Sequence, residues 1–346
     1  MIRLQPSLFK GLTGPAVTPQ SVCESLQSAI ELEHSTIPLY LYALYSINAG
    51  IAPEIADIIQ SIAIEEMLHM TLASNLLNAL GGSPQINTPD FIPNYPGPLP
   101  GGVESDLTAN LAPFSMAQLE TFLQIEEPEH PIEYNSAALG AVPLTIGMFY
   151  TAIAQAIQQL GDGAFCNPPR NQVGPDLMDE SVIVYNVETA LQAINTIIEQ
   201  GEGTTTSPLD GEGDELAHYY RFMQIKKGHL LVADPSAPGG YSYTGAPLPF
   251  DPASVYAAPT NPALPPGYPI GSAQAFANDN FNYTYTSLLA SLHELFNGDV
   301  SQTQMNDAIG LMMSLKGQAK AMMAGIPNPA VITGPSFQYQ PVNPRN

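Results

Sequence analysis

Positive charge is scarce in this chain: 9 lysine and arginine residues stand against 32 aspartate and glutamate residues in 346 positions, for a formal net charge of −23. A surface of that sign repels nucleic acid and anionic membranes, so neither is expected as a partner. Charged residues of both signs make up only 12% of the chain. The acidity therefore reflects missing cations rather than acidic runs, and a charged residue inside a helix stands out. Cysteine is scarce too: Cys23 and Cys166 are far apart in sequence and form no CxxC, which excludes a disulfide framework or a zinc knuckle and leaves two free thiols. No apolar segment reaches roughly eighteen residues without a polar interruption, so a membrane-spanning helix is not expected. The opening MIRLQPSLFKGLTGP lacks the charged-then-apolar order of a signal peptide, and a cytoplasmic location is the expectation. A Gly-rich phosphate loop, a nucleophile elbow, a basic patch with interleaved aromatics, a strand alternation and a short repeat are all missing. One glycosylation triplet, Asn282-Tyr283-Thr284, is of a kind that arises by chance.

What is present is helical periodicity broken by proline. With 45% hydrophobic residues the chain can bury a large core. Residues 21–49 carry apolar positions at helical spacing, with Ser21 and Glu24 placed as a capping box and Pro38 expected to kink the helix. Gly50 ends it, and Pro53 opens a second helix over 53–80 that stops at Gly81-Gly82, which makes an antiparallel hairpin. Residues 84–113 read as an ordered Pro-rich excursion, followed by helices over about 115–127 and 143–160, the latter with Thr145 as its cap. A third bundle helix is expected over 177–202 and a fourth over 214–227. Residues 234–270 are too rich in proline for a helix or a central strand. Two further helices, 272–297 and 301–324, precede an extended tail. The expected class is mainly α, a single domain over 1–346. Its bundle core covers 20–230 (hairpin 21–81, insertion 84–176, hairpin 177–228), and a Pro-rich wrap, two helices and a tail over 229–346 pack on it.

The stretch IAIEEMLHM sets carboxylates and an imidazole inside an apolar run. Glu66 and His69 share a helical face with Ile62, Ala73, Leu76, Leu77 and Leu80, so they point into the core. An ionised carboxylate there is costly unless it is paired or bound to metal. A buried Glu–His hydrogen bond would satisfy one such motif, but the spacing recurs at Glu215 and His218. In the first helix Glu33 lies on the face of Ala29, Ile30, Ile37 and Tyr40, whereas Glu31 sits beside Ser35 and Pro38. In the third helix Glu202 extends the row Leu191, Ile194 and Ile198, and Glu199 and Glu188 are the alternatives. At about 1.5 Å per residue, Glu33 and the Glu66/His69 pair lie at similar depths from the turn between their helices. The candidate metal ligands and catalytic residues are thus Glu33, Glu66, His69, Glu202, Glu215 and His218. Glu65 is expected as a partner of a ligand or as a rim charge. His34 points about 100° away from Glu33 and reads as an ordinary helix histidine. The segment IEEPEHPIEY, with Glu126, Glu127, Glu129, His130 and Glu133, reads as a solvated turn, a pocket rim or a second metal site. Tyr40, Tyr42, Tyr45, Tyr219 and Tyr220 read as core aromatics, with redox relay as the alternative, and the methionines of the last helix as packing.

The segments AIELEHSTIPLYLYALYSI, IAIEEMLHMTLASNLLNALGGSP, IIEQGEG and ELAHYYRFMQI resemble the ferritin-like domain family of the iminophenyl-pyruvate dimer synthase type, a domain also found in bisindole biosynthesis proteins. The resemblance covers most of 20–230, and the tail GPSFQY shares it. It implies a ferritin-like four-helix bundle in which carboxylates and histidines hold two iron ions, with manganese also suited to the donor set. It implies further an oxidase or oxygenase that takes O2 or peroxide and couples imines derived from an aromatic amino acid. The alternative is an iron-binding ferroxidase without an organic substrate. A monomer or small homo-oligomer is expected, because long coil segments and added helices do not suit a tiled storage cage.

Overall fold

The computed structural model describes residues 6–101, 107–128, 145–204, 207–211, 215–265, 267–326, 328 and 331–340. As expected, it is mainly α, with long Pro-rich connections. Helices α1 (Pro19–Ser46) and α2 (Pro53–Ala79) form the central hairpin. On one side of it stand α4 (Ile146–Leu160) against α5 (Val187–Glu202), and α3 (Met116–Glu126) against α6 (His218–Lys227). Helices α7 (Ala273–Asn297) and α8 (Gln302–Met323) pack on each other and against α2 and α1. A minimal antiparallel pair, β1 (Val232–Ala233) and β2 (Tyr241–Ser242), lies in the Pro-rich segment after α6. Among the described residues no helix is long and apolar enough to cross a membrane.

Helix boundaries follow local caps, and three of the starts that differ from the sequence reading have identifiable causes. α1 starts earlier: Thr18, not Ser21, is the N-cap, its hydroxyl accepting from Ser21 N–H at 3.1 Å while Ser21 Oγ accepts from Thr18 N–H at 3.0 Å. Pro19 then takes the first helical position, where its missing N–H costs nothing. α5 starts ten residues later than expected, at a box formed by Asn186 and Thr189. The residues before it are held open by side chains from elsewhere: Asn75 Nδ2 donates to the carbonyls of Val173 at 2.8 Å and Val182 at 2.9 Å, and Gln172 Oε1 accepts from Val184 N–H. α6 begins only at His218, because Leu209 and Leu216 form a β-bridge and Ala217 N–H donates to Pro208 O, which keeps 215–217 extended.

The C-terminal tail is fixed by a ladder on α7. Asn278 Oδ1, Asn282 Oδ1 and Thr286 Oγ1 accept from the backbone N–H groups of Ser336, Gln338 and Gln340 at 2.8, 3.1 and 2.8 Å. Four helical residues rise about 6 Å and two extended residues about 6.6 Å, so one helix turn matches each alternate tail residue. Asn282, the carbohydrate acceptor of the chance triplet, is buried in this ladder and is structural. Cys23 and Cys166, distant in sequence, both border the Gly81–Gly82 turn and are free thiols.

Asn75 is fully buried and holds three backbone groups, since its Oδ1 also accepts from Val173 N–H at 3.0 Å. Replacing it with alanine leaves those groups unpaired, and we expect Asn75→Ala to cost about 2–4 kcal/mol of stability in equilibrium denaturation. A loss below about 0.5 kcal/mol would show that water replaces the amide without penalty.

Candidate metal centre

Four helices bring five acid and imidazole side chains to one buried spot. Glu33 comes from α1, Glu66 and His69 from one face of α2, Glu126 from the last position of α3 and His218 from the first of α6. Donor atoms of Glu33, Glu66 and His69 lie within 4.8 Å of one another, as do those of Glu66, Glu126 and His218. Glu66 belongs to both groups, so two adjacent cation positions would share its carboxylate. His69 Nδ1 is 3.7 Å from Glu33 Oε2, and His218 Nδ1 is 3.0 Å from Glu66 Oε1 and 3.4 Å from Glu126 Oε2. The two imidazoles face each other with centroids 5.3 Å apart.

A surrounding layer fixes each donor. Gln200 Oε1 lies 3.0 Å from His69 Nε2, so that nitrogen carries the proton and Nδ1 is left for the centre. Glu65 plays the same part for His218, 3.1 Å from Nε2, and is itself gripped by both terminal nitrogens of Arg221. Of the two roles open to Glu65, its contacts favour the partner of a candidate ligand, His218. Tyr150 donates to Glu33 Oε1 at 2.6 Å, Thr36 to Glu66 Oε2 at 2.9 Å, and Tyr40 to Glu126 Oε1. His34 lies apart from the centre and joins Tyr285 through Nε2 at 2.7 Å, and burial pulls its pKa down to about 3.

These residues fit a cation. With Nε2–H given to Glu65, His218 Nδ1 presents a lone pair to two carboxylates and makes no hydrogen bond to either, although it is wholly buried. Acceptors converging on acceptors are the signature of a site for a positive ion, and the hard oxygens with two imidazoles suit iron or manganese. Burial and the nearby Glu126 carboxylate push Glu66 up to about 7. Without a cation, burial disfavours charge on His218, but the carboxylates of Glu126, Glu65 and Glu66 outweigh it and raise its pKa well above the usual value, so a proton on Nδ1 would take the place of the ion. His69 is raised by Glu33 and Glu66 against the same burial. Partial burial raises the pKa of Glu65, yet His218 and Arg221 bring it down to about 2.

Four of the six residues expected from the sequence meet here: Glu33, Glu66, His69 and His218. Glu202 stands at the edge. Its Oε1 accepts from Gly147 N–H at 3.0 Å in the first turn of α4, where any side chain at 147 would collide with its carboxylate, and it lines the small cavity of about 40 Å³ beside Glu33 and Glu66. Glu215 requires a correction: it is exposed on the extended connection before α6, so it shares no helical face with His218. Of the alternatives on α5, Glu188 is exposed and Glu199 accepts from Gly211 N–H, so the residue α5 turns inward is Gln200. The carboxylate that the sequence reading did not assign to this centre is Glu126. Its signal was available, since Leu119, Phe122 and Leu123 precede it at core spacing, but the adjacent Glu127-Pro128 made it look like part of a turn. Glu129, His130 and Glu133 lie outside the described residues.

A helical bundle enclosing buried carboxylates and imidazoles defines a candidate metal-binding protein of the carboxylate-bridged kind. Residues 26–227 match the Ferritin-like family model, and the chain belongs to that family. It is 27% identical over 275 residues to the 2-imino-3-(indol-3-yl)propanoate dimerase of Chromobacterium violaceum, an alignment covering 65% of this chain and 25% of that protein. It is 24% identical over 286 residues to the dichlorochromopyrrolate synthase of Lentzea aerocolonigenes, covering 67% of this chain and 27% of that protein. The chain thus spans about a quarter of the length of these curated relatives. Both are enzymes of the bisindole type that the sequence resemblance implied. The crystal structure of a ferritin-like protein from Caulobacter vibrioides superimposes with a TM-score of 0.59 at 25% identity, covering 92% of this chain and 97% of that one.

The shifted carboxylate and imidazoles set a pH dependence for metal-free protein. Between 4.5 and about 7, folded Glu66 keeps a proton that the unfolded chain has released, and the raised histidines act in the same sense above 6.5. Below 6.5 His34, held neutral by burial, offsets Glu66, so the excess of protons on the folded state, and with it the fall in stability as pH rises, lies chiefly above about 6.5. We expect the thermal midpoint of chelator-treated protein to drop from about pH 6.5 to about pH 8. A midpoint that climbs over that interval would contradict the assignment of these shifts.

Proposed function

We propose that this chain is a dinuclear non-haem iron oxidase or oxygenase, using O2 or peroxide on a small organic substrate, an imine derived from an aromatic amino acid. The observation that carries the reading is the pair of buried donor groups sharing Glu66. Glu33 and His69 would hold one ion, Glu126 and His218 the other, and Glu66 both. Two iron ions, or manganese in their place, would supply electron transfer and open positions for the oxidant. The protein's part is geometric and electrostatic. Gln200 and Glu65 orient the two imidazoles, and Tyr150, Thr36 and Tyr40 hold the carboxylates. Leu32, Ile125 and Ile197 border the cavity beside the centre and limit water there. Joining two imines by a new C–C bond releases two electrons and two protons, which the oxidant takes up. The two curated relatives, one of them a dimerase of an indole-bearing imino acid, support this substrate class.

One observation favours a second reading, a ferroxidase that oxidises Fe²⁺ with no organic substrate: the cavity beside the donors measures about 40 Å³, room for a few waters or dioxygen but not for an indole.

Metal analysis after anaerobic iron loading is expected to give about two ions per chain. His218→Ala and Glu126→Ala should each lose one or both, while Glu215→Gln keeps them. Oxygen uptake that rises when an aromatic imine is generated in situ, with a coupled product in mass spectra, supports the oxidase. Uptake that follows added Fe²⁺ alone and ignores the imine favours the ferroxidase, and a chain that retains less than about one ion would remove both readings.

A further inference from the structure

A second cavity lies on the far side of the central hairpin. It measures about 320 Å³ and is enclosed by α1, α2, α7 and α8, with Leu177, Met178 and Phe337 completing the wall. The hairpin separates it from the metal centre. α1 turns Glu33, Thr36 and Tyr40 toward the donors but His34, Ile37 and Leu41 toward this cavity, and α2 divides Glu66 and His69 from Ala63, Met67 and Met70 in the same way. The volume falls in the range of about 300–1,000 Å³ typical of small-molecule sites.

We propose that this cavity binds an amphipathic monocarboxylate, with an extended apolar body inside and its carboxylate on Lys316. Four features lead to that class. The lining is almost wholly aliphatic, aromatic or thioether, so most of the occupant is apolar. Its extent along α2, from Gln60 to Thr71, corresponds to about 16 Å, which suits an elongated body. Six lining methionines give it walls that adapt to chain shape. The one cation in the lining, Lys316, donates through Nζ to the neutral Gln60 Oε1 at 2.6 Å, and among the described residues no carboxylate pairs with it. Arg221 and Lys226, by contrast, face Glu65 and Glu120. In a chain of net charge −23, a lysine at an apolar cavity without an acidic partner is a site of charge complementarity for an anion.

A protein partner fits less well. Ile64 and Met313 at the mouth are exposed, but the floor, with Leu289, Phe296 and Met305, is buried beneath the helices where no protein face reaches. A flexible small molecule reaches it.

Calorimetry on the full chain, with decanoate as the probe and decan-1-ol as its neutral isostere, tests the assignment without reference to metal content. Decanoate is expected to bind about tenfold tighter than the alcohol, and Lys316→Gln to remove that advantage while leaving the alcohol unchanged. Leu292→Trp, which fills the cavity from α7, should abolish binding of both while the helical circular dichroism and the thermal midpoint stay as in the parent. Equal affinities for acid and alcohol, decanoate binding that Lys316→Gln does not weaken, or no binding of either ligand would each overturn the proposal. So would a concentration-dependent dimer that excludes decanoate, which would assign the mouth to a second copy of the chain.

Discussion

A carboxylate in the middle of a helix-packed core, Glu66, is the constraint on which the rest of this structure depends. Burial opposes its charge, and neighbouring Glu126 and Glu33 oppose it further. A group in that position stays ionised only where opposite charge or a cation compensates it, and otherwise holds a proton. His218 and His69 lie against it, and the acceptors around His218 Nδ1 make the spot a candidate site for a positive ion. The local chemistry explains why α2 carries an acid-rich segment within an otherwise apolar helix.

The second layer follows from the first. An imidazole can present Nδ1 to the centre only if Nε2 is satisfied elsewhere, and two unrelated solutions appear: a neutral amide, Gln200, behind His69, and an ion pair, Glu65 with Arg221, behind His218. One of the few cations in this acidic chain is thus spent far from solvent, positioning a carboxylate that positions a ring. The opposite faces of α1 and α2 are apolar and also need cover, which α7, α8 and the tail provide. Their cover leaves the large cavity, so the central hairpin has a polar centre on one side and an apolar chamber on the other.

Much of the fold was legible because its signals are local. Thr145, Ser272 and Ser301 cap their helices, Pro53 opens α2 and Gly228 ends α6 in the left-handed conformation. The misread boundaries are those where a distant side chain competes with helix formation. Asn75 and Gln172 hold 173–184 open ahead of α5, and the Leu209–Leu216 bridge delays α6. The second error carried Glu215 out of the centre, because a Glu-x-x-His spacing places both residues on one face only if the helix includes both.

The sequence by itself determined the class of the fold, the long hairpin, and the inward phase of Glu33, Glu66 and His69, since each depends on residues within a few helical turns of one another. It also pointed to a candidate metal site, because hard oxygens and imidazoles recurring in apolar runs suit a cation. Only the tertiary structure decided that Glu126 joins them, that α5 sets Gln200 behind His69, and that Glu202 sits against Gly147. Those outcomes depend on where separate helices begin, end and meet in depth. Periodicity gives the direction of a side chain around its own axis but carries no information about its height against a neighbour.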